Sequence, residues 1–527
     1  MEKRFYVFLY IVLLILTLFY NLGERPLFGV EGRWAEAARE MSLTGSYFVP
    51  TINFSPHITK PLIPFLLIKL SCSFFGYNEF AVRLPSAILA LLSIVFFYFL
   101  ARKLFDEKYR WLALLFFSTT LGFIEFARLA QSEIYQLFGL LVALSFYVNY
   151  RDRPSFLGYT GFFLGLLFGA LSKGLTAPTV IISAVLIDVL LNKRYYHFNL
   201  KFSIVFVASI GIYFLHFYLI AKSLNSQLPF YFWFKENIKQ AIDPYDNLRP
   251  AYIYLFYYPL WVSPYSLLLI FSLVAYFIHL KKISNDEKWL LFSNIVIFLI
   301  FTLAKARRGY YILSILPFAI LLVITFLKNY QVSLSQKATK IIESIHKSLV
   351  YLFAFAILIS FFFIKLFGYE IKPAFLILYF FLLILSFFII WSFKEEKIFF
   401  WEAFSLITLC LLCLYYAGVQ PVYSVSTEKL SGEFIKNLRE QSTYLKKMKI
   451  CYLEEKGRPV ANVYFYAKIT ERILPIKLAS EELSACGIVI VRKELDNKER
   501  EYLETLGYEI KEFLDKKEKS KSYLRLF

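Results

Sequence analysis

Apolar runs of about 18–20 residues recur along most of this chain, and no other feature restricts its fold so strongly. They fall near 5–22, 84–104, 110–127, 133–150, 155–172, 175–192, 202–221, 252–280, 287–304, 310–327, 348–366, 373–393 and 398–418. Runs of that length belong in lipid, and composition agrees. The chain is 58% hydrophobic and 20% aromatic, against about 45–50% apolar for soluble domains. The expected fold class is an all-α polytopic membrane protein of about 13 transmembrane helices with a small C-terminal α/β soluble domain. The membrane domain is placed at 1–418, including a long first external loop at 23–83, and the soluble domain at 419–527. A shorter apolar helix near 61–76 follows Pro61 and suits the membrane interface rather than a span.

The formal charge of +19 marks loops rather than a nucleic-acid partner. No basic helix or RNA-binding motif is present. Basic residues collect on the cytoplasmic side of membrane proteins. With the N-terminus cytoplasmic, the alternate loops "RKLFDEKYR", "YRDRPS", "NKRYYHFNLK", "HLKKISNDEK", "KNYQVSLSQKATK" and "FKEEK" are all rich in Lys or Arg. The first loop, "ARLAQSE", "LSKG", the loop near 222–251, "AKARRGYY", "FGYEIK" and the tail then fall outside. The first apolar run follows "MEKR" without a small-residue cleavage site and reads as a retained signal anchor.

In the tail, "KMKICYLEE", "ANVYFYAKI", "CGIVIVRK" and "YEIKEFLD" are expected as strands, "SGEFIKNLREQSTYLKK" and "DNKEREYLETLG" as helices. Cys451 and Cys486 share the tail and are suited to a disulfide if it is extracytoplasmic. Cys72, Cys410 and Cys413 read as small apolar residues.

Charge close to a bilayer is costly and usually has a partner or a task. Nearly all the informative charge here lies on the outer side. In "LFGVEGRWAEAAREM", Trp34, Ala37, Ala38 and Met41 recur at helical spacing, and Arg33, Glu36 and Glu40 share the other face. An amphipathic helix lying on the membrane is expected, with Glu36 and Glu40 as a solvated surface. Glu31 precedes it between two glycines and is suited to face a cleft, or else to pair with Arg33 or Lys60. Lys60 stands before Pro61. Arg128 and Glu133 share a short outer turn, and Lys173 sits in another. "KARRGYYILSILP" adds Lys305, Arg307, Arg308 and Tyr310, and "FYFWFKENIKQ" adds Trp233, Glu236 and Asn237. Guanidinium and ammonium groups suit a phosphate, and a carboxylate suits a general base. The chemistry implied is transfer involving a lipid-linked phosphate.

The stretches "VEGRWAEAAREMSLTGSYFVPTINFSPHITKPLIPFLL", "FGYNEFAVRLPSAI", "ARLAQSEIY", "LSKGLTAP" and "RRGYYILSILP" resemble the bacterial branch of the dolichyl-phosphate-mannose protein mannosyltransferase superfamily, which includes the aminoarabinose transferases acting on lipid A. The resemblance covers roughly the first 330 residues. It implies the GT-C fold and inverting transfer of a sugar from a polyprenyl phosphate donor to an envelope acceptor: a glycolipid such as lipid A, a glycan or a protein. It implies a bacterial cytoplasmic-membrane enzyme working among membrane lipids as a monomer. The family's Asp-Glu-x-Arg-Tyr-Ala-Glu appears here as Val30-Glu31-Gly32-Arg33-Trp34-Ala35-Glu36. Its second acid corresponds to Glu133, its Lys-Pro pair to Lys60-Pro61, and its later Glu-His to Glu236-Asn237. The acid before Lys-Pro is Thr59. The resemblance makes Glu31 the first candidate for catalytic base and Glu133 the second. Arg33, Lys60, Arg128 and Arg308 become candidates for the donor phosphate, and Lys173, Glu236, Asn237 and Tyr310 for the acceptor or sugar pocket. With few, dispersed histidines, no metal and no cofactor beyond the lipid-linked co-substrate are expected. A transporter or flippase would show repeated, Gly/Pro-broken halves, and none is found. A non-catalytic scaffold would not need the clustered outer cations, although Val30 favours it.

Overall fold

The computed structural model describes residues 2–333, 336–366, 372–423, 426–441, 449–514 and 521–526. The turn "FGYEIK" and the expected tail helix beyond Gln441 lie largely or wholly outside those residues. Two compact units divide the chain. One comprises Met1–Leu22, Thr59–Ile63 and Leu84–Val422, the other Gly23–Ile58, Pro64–Arg83 and Tyr423–Phe527. Sequence reasoning assigned the first loop to the membrane domain. By contact, most of that loop belongs instead to one unit with the tail.

The first unit is helical. In chain order its helices are α1 (Glu2–Phe19), the later part of α4 (Glu79–Leu104), α5 (Glu107–Ser118), α6 (Leu121–Ala127), α7 (Ser132–Tyr150), α8 (Phe156–Lys173), α9 (Thr176–Asn192) and α10 (Leu200–Leu224). Next, α11 (Leu228–Phe234) runs through a π-helical turn at Lys235–Lys239 into α12 (Gln240–Ile242). Then come α13 (Ile253–Val262), α14 (Ser266–Ile278), α15 (Asn285–Leu303), α16 (Leu316–Ser333), α17 (Gln336–Leu366), α18 (Pro373–Lys394), α19 (Phe400–Cys413) and α20 (Gln420–Tyr423).

Among the described residues seven helices are long and apolar enough to cross a membrane, or up to nine if two bent pairs each count as one span. The chain is therefore a multi-span membrane protein, with fewer full spans than the 13 expected. Part of the difference lies in short helices such as α9, whose 17 residues fall a turn below the roughly 20 needed to span unaided. One bent pair is α5 and α6, broken by 57°, and the other α13 and α14, by 112°.

Local sequence explains several element ends. Asp106 caps α5 by accepting from Tyr109 N, and Ser155 caps α8 by accepting from Gly158 N. Ser284 and Glu287 form a reciprocal capping box on α15. The tightest helix pair is α7 with α8. A Cβ on Gly165 would stand 2.4 Å from Ala143 N, so only glycine lets these two backbones approach, the small-residue packing common in membranes.

The second unit contains α2 (Glu31–Leu43), a short hairpin β1 (Thr51–Ile52) and β2 (Ser55–Pro56), and most of α3 (Ile63–Phe75). With 13 residues α3 is too short to span. The tail adds α21 (Thr427–Gln441), β3 (Lys449–Leu453), α22 (Ala461–Ala467), β4 (Leu474–Ile476), β5 (Cys486–Val491), α23 (Asn497–Thr505), β6 (Glu509–Leu514) and β7 (Lys521–Leu526). The strands lie in the order β4-β3-β5-β7-β6. The pairs β3–β4 and β3–β5 are parallel, and β5–β7 and β6–β7 antiparallel. Every residue of β5 is buried, as expected of a central strand covered on both faces. Cys451 on β3 and Cys486 on β5 are joined by a disulfide.

"ANVYFYAKI", expected as a strand, is the helix α22. Asn462 to Ala467 are all buried, because α22 packs against both α2 and α21. A helix enclosed on several sides loses the one-sided pattern that would identify it.

Candidate active site

The acids of α2 are not surface groups. Glu36 and Glu31 are fully buried and Glu40 almost so. Glu40 accepts hydrogen bonds from Thr51 Oγ1 at 2.7 Å, Asn53 N at 2.6 Å and Phe54 N at 2.8 Å, holding the hairpin. Glu36 takes a forked pair of bonds from Arg39, 2.8 Å from Nε and 2.7 Å from Nη2. Arg39 also donates to Ile469 O. Burial pushes the Glu36 carboxyl up to about 7, and the Arg39 hydrogen bonds pull it the other way. The expected solvated face is thus covered, because tail segments lie over it. Asn53 exchanges hydrogen bonds with the backbone of Ile473, and Tyr466 OH accepts from Leu27 N.

Glu31 occupies the first turn of α2 and accepts from Phe28 N at 2.9 Å. Its partner is neither Arg33 nor Lys60 but Arg83, which donates to its two oxygens at 2.8 Å each. Arg83 also donates to Arg25 O and Pro26 O. Gly32 is required beside it, since a Cβ there would overlap Asn462. Arg33 is exposed.

A different carboxylate, in the first unit, lies among cations. Glu133 stands in the first turn of α7 and Lys173 at the last position of α8, with Nζ 3.1 Å from Oε1. Each helix end favours the charge it carries: the anion at the N-terminus, the cation at the C-terminus. Lys173 also faces the rings of Tyr310 and Tyr311, 5.4 and 4.9 Å from their centres. Lys60 and Arg308 are both within electrostatic reach of Lys173. Lys60 pairs with Glu236 at 2.7 Å, and Tyr245 OH donates to the other oxygen of Glu236. Arg308 donates to Tyr310 OH at 2.7 Å and Asn247 Oδ1 at 2.5 Å, with Asp246 4.0 Å away.

The π-helical turn positions this arrangement. It carries Glu236 and Asn237, and π-turns inside helices often mark functional sites. Asn237 Oδ1 accepts from Leu175 N at 2.7 Å. Gly174 between Lys173 and Leu175 has φ +86°, and a Cβ there would lie 2.3 Å from Asn237 Oδ1. The turn after α8 is therefore restricted to glycine by its backbone and by the approach of Asn237.

Of the residues expected at the site, the structure gathers Lys60, Glu133, Lys173, Glu236, Asn237, Arg308 and Tyr310. Arg128 is committed to helix ends, donating to Thr17 O at 2.6 Å, Tyr20 O at 2.9 Å and Tyr416 O at 3.1 Å. Arg307 likewise donates to Thr302 O and Arg249 O. Sequence reasoning missed Tyr245, Asp246, Asn247, Tyr311 and Arg83. Tyr311 had a signal in the doubled tyrosine after "RRG". The others sit in a loop or a span with nothing local to mark them. Among the described residues no group of three His, Cys, Asp or Glu converges as a metal-ligand set.

Residues 59–221 match the family of dolichyl-phosphate-mannose-protein mannosyltransferases. An "uncharacterized protein" of Aquifex aeolicus is 29% identical over 62% of this chain and 65% of its own length. An undecaprenyl phosphate-alpha-4-amino-4-deoxy-L-arabinose arabinosyl transferase of Pseudomonas fluorescens is 30% identical over 55% of this chain and 54% of its own. The chain thus spans less than two thirds of the curated relatives it matches first. The crystal structure of ArnT from Cupriavidus metallidurans bound to undecaprenyl phosphate aligns over 99% of this chain and 97% of that one, with TM-score 0.74 and 14% identity. An Archaeoglobus fulgidus oligosaccharyltransferase aligns over 97% of this chain and 69% of its own, with TM-score 0.52 and 11% identity. The fold is that of GT-C membrane proteins, and the chain is aminoarabinose transferase-like within it.

Proposed function

We propose that the protein is an inverting glycosyltransferase that takes a sugar from a polyprenyl-phosphate donor and passes it to an envelope acceptor. One observation carries this reading: Glu133 is held among Lys173, Lys60 and Arg308 at facing helix ends. A base and a cationic clamp are the two things such a reaction asks of the protein. Glu133 takes the proton of the acceptor hydroxyl as the oxygen attacks the anomeric carbon. The bond from that carbon to the phosphate oxygen breaks on the opposite face, so the configuration inverts. The electron pair leaves on the lipid phosphate, where Lys60 and Arg308 stabilise the growing charge. Lys173 keeps Glu133 ionised until acceptor arrives, and Glu236 neutralises Lys60 until the phosphate displaces it. Glu133 takes the base role in preference to Glu31, whose two oxygens are engaged by buried Arg83. The cations supply the charge stabilisation, so the transfer is proposed to need no metal.

The names of the arabinosyl transferase relatives and of the lipid-bound structure support this donor. Lipid A is the acceptor we favour. The disulfide between Cys451 and Cys486 supports an extracytoplasmic tail, hence an outer-face reaction and a cytoplasmic N-terminus. The test is sugar transfer by purified full-length protein from a polyprenyl-phosphate sugar to lipid A, beside Glu133→Gln, Glu31→Gln and Lys60→Ala. Loss of turnover in Glu133→Gln with retained folding is expected. Full turnover in that variant returns the base role to another group, and no transfer from any such donor by wild type overturns the reading.

A further inference from the structure

A furrow of about 480 Å³ runs along α8 between α9 and α10. At one end it is bounded by Tyr147, Tyr159 and His197, at the other by Tyr213 and Trp233. Between them the wall is hydrocarbon, including Phe163, Leu167, Ile182, Phe206 and Ile210. Ile182, Phe206 and Ile210 are each more than 40% exposed, so the furrow opens sideways toward lipid.

Its length separates possible occupants. Ser155 and Ala170 both line it, and the helix between them rises about 22 Å. One leaflet offers about 15 Å of hydrocarbon, half of a bilayer core of about 30 Å. An acyl chain from one leaflet therefore fills only part of the furrow. A single long unbranched-backbone chain fills it throughout.

The Trp233 end indicates the head group. Leu175 lines the furrow there, and its N–H is bonded to Asn237. The neighbouring Glu236 holds Lys60, and Lys173 lies two residues before Leu175. The furrow thus stops where the cation cluster starts. That is the complement of an anionic head on one long hydrocarbon tail.

We infer that this furrow holds the isoprenoid chain of the lipid-phosphate donor, with the phosphate at the Lys60 and Lys173 end. The inference rests on the donor class proposed above and adds where its chain lies. It is tested by photolabelling full-length protein in phosphatidylcholine vesicles with a long-chain polyprenyl phosphate, without sugar, carrying a photoreactive group near its far end. Label is expected in peptides of α8, α9 and α10 near Ser155 and His197, competed by unlabelled polyprenyl phosphate. Ile210→Trp, a change on a lipid-facing wall, is expected to reduce that label by about tenfold through lost apolar contact without shifting the melting temperature. Label elsewhere in the chain, or equal label from photoreactive phosphatidylcholine, overturns the inference. If the furrow is labelled but no sugar is transferred in the separate assay, the transferase reading fails and the chain site stands. If sugar is transferred and the label lies elsewhere, only the chain site fails.

Discussion

The acids of α2 and the acid at the start of α7 show two ways of holding a carboxylate in a protein of this kind. In α2, Glu31, Glu36 and Glu40 are saturated. Arginine forks and backbone N–H groups take their oxygens, and no water reaches them. Such groups are expensive to disturb and contribute order rather than chemistry. Glu133 is buried as well, but its described partner is a lysine that also faces two tyrosine rings. An ammonium is a compact, mobile partner, and it can yield to a substrate where an arginine fork resists. The contrast teaches that burial alone does not mark a catalytic acid. What its partner can release does.

The comparison is broken most directly by Glu133→Gln. Turnover is expected to fall by about 10³-fold, the usual worth of a positioned base, with the melting temperature held. A comparable fall in Glu31→Gln per folded molecule would put the base in α2 after all. The converse change is Arg83→Met, which leaves Glu31 buried without its fork. It is expected to cost about 3–5 kcal/mol of stability, read as lower yield and an earlier unfolding transition rather than altered chemistry. Reduction of the Cys451–Cys486 bridge is expected to cost about 3 kcal/mol, seen as tail-specific proteolysis while the transmembrane helices stay protected. Lys60→Ala should lower turnover by roughly 10²-fold through loss of one charge-stabilising donor, with a smaller effect on acceptor KM.

The smallest effect concerns Glu36. Its carboxyl is raised to about 7 by burial, above the ordinary value near 4.5. Its contribution to stability is therefore complete below the ordinary value and lost as pH rises through about 7. The unit containing α2 should unfold at a higher temperature at pH 5 than at pH 8, and Glu36→Gln should flatten that difference. A wild-type profile without this slope would mean that the Arg39 fork outweighs burial.

Several of these features were legible in the sequence, and others could not have been. The apolar runs declared a multi-span helical protein, because a chain cannot expose so much hydrocarbon to water. "CGIVIV" declared a buried strand, and "DNKEREYLET" a capped helix whose capping box Asp496 and Glu499 complete. The residue set Lys60, Glu133, Lys173, Glu236 and Arg308 was also visible as charge beside apolar runs. Glu36 and Glu40 were misread as surface because the pattern of α2 is amphipathic by itself. What covers its polar face arrives more than 400 residues later, at Asn462, Ile469 and Ile473. The aromatic run of α22 was misread for the same reason.

The sequence by itself determined the solvent each segment requires, since transfer free energies add along the chain. It also determined which charges must find partners. Tertiary structure alone decided which partner each one found: Arg83 for Glu31, Arg39 for Glu36, Lys173 for Glu133. Pairing depends on distances of a few ångströms between groups as many as 52 residues apart in sequence for Glu31 and Arg83, and local periodicity carries no record of them.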